Sequence, residues 1–202
     1  RESELERLQK LHNEVEQERL TRLDRAILMR AKDGILVVTV EQEHDPVQRA
    51  LRVGRLKKLE RLGMAAERQT GVWQLDVRME PKLRQLGDRA DKVKMMQRAL
   101  KEAGIDRAAS QLALFEKRPH NQPLIGKVVG VGLVDEITDR TWIVLDAVDG
   151  RVHYAELGRL KPVDVPVRGM LGALGGDGVQ EKPSAVPRLH VLSPVDVQRH
   201  TA

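Results

Sequence analysis

The sequence predicts an α+β chain in which a winged-helix-like helical domain precedes a small antiparallel β-barrel or rolled sheet. Three observations predict it. Residues 45–62 have the apolar spacing of a basic helix, and Gly63 stops it. Residues 64–75 follow as two short strands around Arg68-Gln69-Thr70-Gly71, the helix-then-hairpin order of a wing. Beyond Arg118-Pro119-His120-Asn121-Gln122-Pro123 the chain changes style, to β-branched runs separated by turn residues.

Residues 1–19 read as a connector helix or a short coiled-coil arm, with Leu8, Leu11 and Val15 on one face. Thr21–Ala31, with Leu23, Ile27 and Leu28, fits the first helix of a winged-helix-like domain over 20–79. Residues 35–40 are β-branched and bounded by Gly34, which predicts a buried strand beside the wing. In the central helix Leu56, Leu59 and Leu62 share one side, and Lys57, Lys58 and Arg61 lie opposite with Ala50 and Gly54 between them. Small residues there would let a groove or a phosphate approach the backbone. Arg52 and Arg55 fall among the leucines. Either the helix breaks near Gly54 into a helix-turn-helix, or these arginines snorkel outward. Trp73 alternates with polar Gln74 and reads as core.

A helical extension over 80–110 reads as two helices parted by Gly87, with Pro81 at a first position, Asp88 as N-cap and Gly104 as stop. Val93, Met96 and Leu100 form the buried stripe of the second. Lys92, Lys94, Arg98 and Lys101 read as solvated charge. The β-domain, 111–170, offers strands at 125–133, 141–145 and 152–157, with Asp149-Gly150 as a hairpin turn and a further strand at 163–170. A Gly/Pro-rich loop covers 171–187. A returning strand at 189–192 leads into a helix start at Ser193-Pro194-Val195-Asp196, and 188–202 close the chain. Both ends interrupt a helical pattern, so the sequence reads as a piece of a longer protein.

Composition narrows the function classes. Only 2% of the 202 residues are aromatic, which argues against a base-stacking platform for single strands. There is no cysteine, hence no disulfide or thiolate chemistry. No apolar run reaches the roughly 20 residues of a membrane span, so no membrane insertion is expected. The histidines (12, 44, 120, 153, 190 and 200) form no metal-ligand pair. Asp135, Glu136, Asp139, Asp146 and Asp149 sit at turns and strand ends, as structural acids do. No P-loop, dinucleotide motif or nucleophile elbow is present, so no catalytic residue, metal or cofactor is expected.

The net charge is +5, and from Arg49 to Arg61 six Lys or Arg stand against one Glu. That concentration favours a local anionic partner, nucleic-acid phosphate first. The expected DNA contacts are Lys57, Lys58 and Arg61 along a groove and Arg68, Gln69 and Thr70 of the wing on neighbouring backbone. Arg49, Arg52 and Arg55 are secondary candidates. The same spacing also fits an ordinary packed helix with a solvated charged face.

Several stretches in order resemble a known family. They are Arg22-Leu23-Asp24-Arg25-Ala26, Val53-Gly54-Arg55-Leu56-Lys57-Lys58-Leu59-Glu60 and Leu83-Arg84-Gln85-Leu86-Gly87-Asp88-Arg89. Ile125-Gly126-Lys127-Val128-Val129, Gly132-Leu133-Val134-Asp135-Glu136, Val148-Asp149-Gly150-Arg151-Val152-His153-Tyr154 and Pro194-Val195-Asp196-Val197-Gln198-Arg199 complete the series. Together they resemble the region after the nuclease domain in relaxase/mobilisation-nuclease proteins of conjugative plasmids and integrative elements. The resemblance implies a parent that nicks one DNA strand with a tyrosine and a histidine-bound metal, in the bacterial cytoplasm, and is carried into a recipient cell by type IV secretion. None of those catalytic motifs occurs in this stretch. Three roles then compete: a DNA-binding accessory region, a module recognised by the type IV secretion coupling protein or relaxosome partners, and a structural spacer.

Overall fold

The structure is a computed structural model that describes residues 3–119, 122–175 and 186–193. It is α+β, with four α-helices, a three-stranded sheet and a six-stranded sheet among the described residues. Two compact units divide the chain, Arg1–Ala90 and Asp91–Ala202.

In the first unit, helix α1 (Glu4–Glu16) opens with a Ser3–Glu6 capping box and α2 (Arg22–Arg30) with a Thr21–Asp24 box. Leu5 and Leu8 of α1 are exposed, while Val15 in its last turn is buried. Strand β1 (Ile35–Val37) is shorter than the run of apolar residues. Its Leu36 is buried while Ile35 and Val37 are exposed, so it buries one face and not both.

Helix α3 spans Pro46–Arg61 without interruption, so residues 46–62 do not form a helix-turn-helix. Asp45 caps it by accepting the Val47 and Gln48 N–H groups at 2.9 and 3.3 Å. The chain then forms β2 (Ala65–Gln69) and β3 (Val72–Leu75), and the antiparallel sheet has the order β1-β3-β2. Gly71 at the hairpin tip has φ +75°, and a Cβ there would lie 2.7 Å from the Val38 carbonyl, so the tip requires glycine. Ile27, Leu36, Leu56, Leu59, Trp73 and Leu75 form the core, with Met79 and Leu83. Trp73 is core, as its alternation predicts.

Helix α4 (Met79–Glu102) is one helix and not two. Gly87 weakens a helix interior by only about 1 kcal/mol, too little to break so long an element. Its bare Cα instead admits Arg19, whose Nη2 donates to the Gly87 carbonyl at 3.2 Å. Pro81 lies in the first turn, where no N–H is needed.

The second unit holds β4 (Leu112–Leu114), β5 (Leu124–Leu133), β6 (Arg140–Ala147), β7 (Val152–Arg159), β8 (Leu171–Leu174) and β9 (Leu189–Val191). Their order is β4-β7-β6-β5-β8-β9, with β4 parallel to β7 and every other pair antiparallel. The sheet is therefore mixed and does not close into a barrel, which corrects the barrel alternative and the all-antiparallel pairing expected for a barrel or rolled sheet. β4 and β7 can run parallel because β5 and β6 supply the long connection such a pair needs. The expected strand at 163–170 is a single 3-10 turn at Pro162–Asp164 followed by irregular chain, where Pro162 and Pro166 lack donors for a ladder. Pairing falls on β8, inside the stretch expected to be loop. There Gly172 lets Leu189 approach to where a Cβ would stand 2.7 Å from its Cδ1. The expected turn at Asp149-Gly150 joins β6 to β7, with Asp149 accepting the Arg151 N–H at 2.9 Å. One core packs Met96, Ala99 and Leu100 of α4 on Val129, Val144 and Tyr154, and another gathers Leu124, Val128, Ile143, Leu145 and Leu174. The expected helix start lies, from Pro194 on, outside the described residues.

Candidate nucleic-acid interface

Helix α3 carries the residues in question, and its apolar side fixes their directions. Leu56 and Leu59 are fully buried, which turns Lys57, Lys58 and Arg61 outward. The small side of the helix is not open. A Cβ on Gly54 would lie 3.4 Å from Val15 Cγ1, so the close approach belongs to α1 and not to a groove or phosphate.

Arg52 and Arg55 neither break the helix nor snorkel out. Arg55 is fully buried. Its Nε and Nη2 donate to the two carboxylate oxygens of Asp24 at 2.7 and 2.8 Å. Nη1 donates to the carbonyls of Val15 (2.8 Å) and Gln17 (2.6 Å), and Nη2 also to that of Arg19 (2.9 Å). A guanidinium has five N–H donors, and all are used. Asp24 in turn accepts the Thr21 N–H at 2.7 Å. Arg55 thus caps the end of α1 and holds the start of α2, and presents nothing to a partner. Arg52, also buried, pairs with Glu43, which Arg30 reaches at 2.6 Å. Arg49 donates to the Glu43 carbonyl at 2.8 Å. Hydrogen bonds from Arg52 and then Arg30 hold the Glu43 carboxyl below the ordinary glutamate range.

The outward cations are paired as well. Lys57 meets Glu67 at 2.9 Å and Glu60 at 3.6 Å, with its ammonium 4.9 Å from the Trp73 ring centre. The Glu67 hydrogen bond raises the Lys57 pKa. Lys58 meets Glu18 at 3.1 Å and Glu16 at 3.7 Å, and only 13% of its side chain is exposed. Arg61 meets Glu16 at 3.0 Å. Lys57, Lys58 and Arg61 therefore face Glu16, Glu18, Glu60 and Glu67, and the face has no positive surplus.

The hairpin tip differs. Arg68, Gln69 and Thr70 are exposed, and Arg68 has no ion pair among the described residues. Glu67 pins the tip by accepting the Gly71 N–H at 3.0 Å. That bond and then the Lys57 bond lower the Glu67 pKa.

A protein-family model described as a protein of unknown function (DUF3363) matches residues 52–184, more than half of the chain. The chain belongs to the DUF3363 family. The DUF3363 match takes in Arg55, the hairpin, α4 and the second sheet through β8. Glu16, Glu18, Asp24 and Glu43, which pair the α3 cations, precede it. No curated protein and no solved structure matches the chain.

Those four acids are the residues that sequence reasoning missed. The Glu14, Glu16, Glu18 run and two arginines on a leucine stripe were the signals available. Among the described residues no group of His, Asp or Glu could hold a metal ion, and no helix is long and apolar enough to cross a membrane. Asp135, Asp139, Asp146 and Asp149 of the second unit serve turns and pairs. Asp135 accepts the Ile137 N–H at 3.0 Å, while Asp146 meets Arg107 at 3.1 Å and Asp139 meets Arg159 at 3.2 Å.

Proposed function

We propose that this DUF3363 chain is a DNA-engaging accessory region of a conjugative relaxase-type parent, assisting origin-of-transfer DNA handling without chemistry of its own. The observation that carries this reading is the hairpin tip. It offers Arg68 with no ion pair among the described residues, with Gln69 and Thr70 as hydrogen-bonding neighbours, on a turn fixed by Gly71 and Glu67. Such a tip suits phosphate and minor-groove contact. Lys57 and Arg61 can join by exchange, because exposed ion pairs are worth only about 0–1 kcal/mol and a phosphate can replace a glutamate. The winged-helix-like reading of residues 20–79 belongs to the proposal. Helix, strand, helix and hairpin follow in order, and β1 lies beside β3 as the third strand of a wing.

A second reading is a module recognised by the type IV secretion coupling protein or by relaxosome partners. The balanced charge of α3 and the outward apolar side chains of Ile35 and Val37 favour it. Fluorescence anisotropy with labelled single- and double-stranded DNA, from about 50 to 200 mM salt, tests the first. Salt-sensitive binding that weakens in Arg68→Ala supports it. Absence of binding at the lowest salt sinks it, and titration of purified coupling protein then tests the second.

A further inference from the structure

The second half of α4 carries the charge surplus that α3 lacks. Lys94, Arg98 and Lys101 stand at i, i+4 and i+7, one side of the helix over about 10 Å of axis. All three are exposed, Arg98 to 83%. Lys94 and Lys101 make no ion pair among the described residues. The carboxylate beside the row, Glu102, is shared by two guanidiniums, Arg98 at 3.1 Å and Arg168 at 2.7 Å. Their hydrogen bonds, Arg168 first, hold the Glu102 carboxyl below the ordinary range. Arg168 is fixed in place by the next residue, since the Gly169 N–H donates to the Val128 carbonyl of β5 at 2.8 Å. Two of the four cations therefore share one carboxylate, and Asp91 borders the row one turn before Lys94.

We propose that Lys94, Arg98 and Lys101, together with Arg168, form the principal phosphate-contact surface of the chain, for sequence-independent engagement of a nucleic-acid backbone. The inference rests on the DNA reading above and adds to the contact at Arg68 a larger cationic surface on α4, where α3 supplies none. The solvent side of the row holds Gln97 and the cations, with no aromatic or apolar anchor of the kind a protein interface centres on. Spaced cations without such an anchor are what a phosphate backbone requires. Glu102 holds two of the four cations in place while cancelling only one.

The test uses the 202-residue chain with a labelled DNA duplex, and with labelled polyglutamate as a competing anion. Lys94→Gln with Lys101→Gln leaves the Arg98–Glu102–Arg168 bridge intact, and circular dichroism checks its fold. This variant is expected to bind duplex roughly tenfold more weakly at low salt and to flatten the salt slope by about 2. Glu102→Gln is expected to bind more tightly than the parent. Parent-like binding by the double variant, with loss in Arg68→Ala, overturns this surface and leaves the DNA reading standing. Polyglutamate binding as tight as DNA reassigns the row to acidic proteins and overturns the proposal. Absence of DNA binding by the parent chain overturns both readings together.

Discussion

An arginine on the apolar stripe of a helix destabilises a fold unless its donors find acceptors, and Arg55 meets that condition with Asp24 and three carbonyls. Arg55→Met would leave the buried Asp24 carboxyl without its partner, at a cost of roughly 3–5 kcal/mol. Adding Asp24→Leu should recover part of it, because the carbonyls of Val15, Gln17 and Arg19 still lack donors. In a Trp142→Phe background Trp73 reports on the first unit alone, and its urea midpoint measures both variants. An unchanged midpoint for Arg55→Met would show that the Arg55–Asp24 pair does not hold the first unit together. Glu43 makes a pH prediction. Its folded pKa is depressed, so the folded state releases its proton more readily than the unfolded chain. The stabilisation is complete above the ordinary value of about 4.3 and fades as pH falls through the lower folded value. Glu43→Gln should flatten the acid side of the stability profile. The Arg55–Asp24 and Lys58–Glu18 pairings were not legible locally, since their partners lie 31 and 40 residues apart. Counting charge along one helix window cannot register acids delivered by another helix.

At the scale of elements, packing at bare Cα atoms accounts for several departures from the sequence reading. Gly54 faces Val15 and Gly87 faces Arg19, and both sit inside continuous helices. Gly54→Ala adds a methyl at ordinary contact distance and gains helix propensity of about 1 kcal/mol, so the first unit should hold or gain stability. Gly54→Leu should instead push α1 away, seen as lost hydrogen-exchange protection in residues 4–16 with α3 still protected. Equal protection in both variants would contradict the α1–α3 packing. The hairpin, the three long strands of the second sheet and the returning strand were legible because alternation and turn residues coincide there. β8 was not, as Leu171-Gly172-Ala173-Leu174 centres on two β-poor residues and is held by pairing on both sides, with β5 and with β9. β4, three residues long, has too short a pattern to read.

For the whole molecule, charge is distributed otherwise than the sequence suggests. Three fully engaged cations would flatten a duplex salt slope by about 2.7, at 0.9 each. With the α3 face balanced by Glu16, Glu18, Glu60 and Glu67, the Lys57→Ala, Lys58→Ala, Arg61→Ala variant should flatten it by less than about 1. The full value, measured by anisotropy across the same salt range, would restore α3 as the DNA surface. The candidate site was thus legible at its hairpin tip, where exposure follows from the turn itself. It was illegible on α3, where function and stability draw on the same residue types.

The socket around Arg55 also shapes what divergence in this family can look like. Three of its acceptors are main-chain carbonyls, which every amino acid supplies. Arg55 therefore places no demand on the side chains at 15, 17 and 19, although Val15 also packs on Gly54 and Arg19 also donates to the Gly87 carbonyl. Only Asp24 must change in step with Arg55. Across diverged chains that single pair should covary, while position 17 should leave no trace in an alignment.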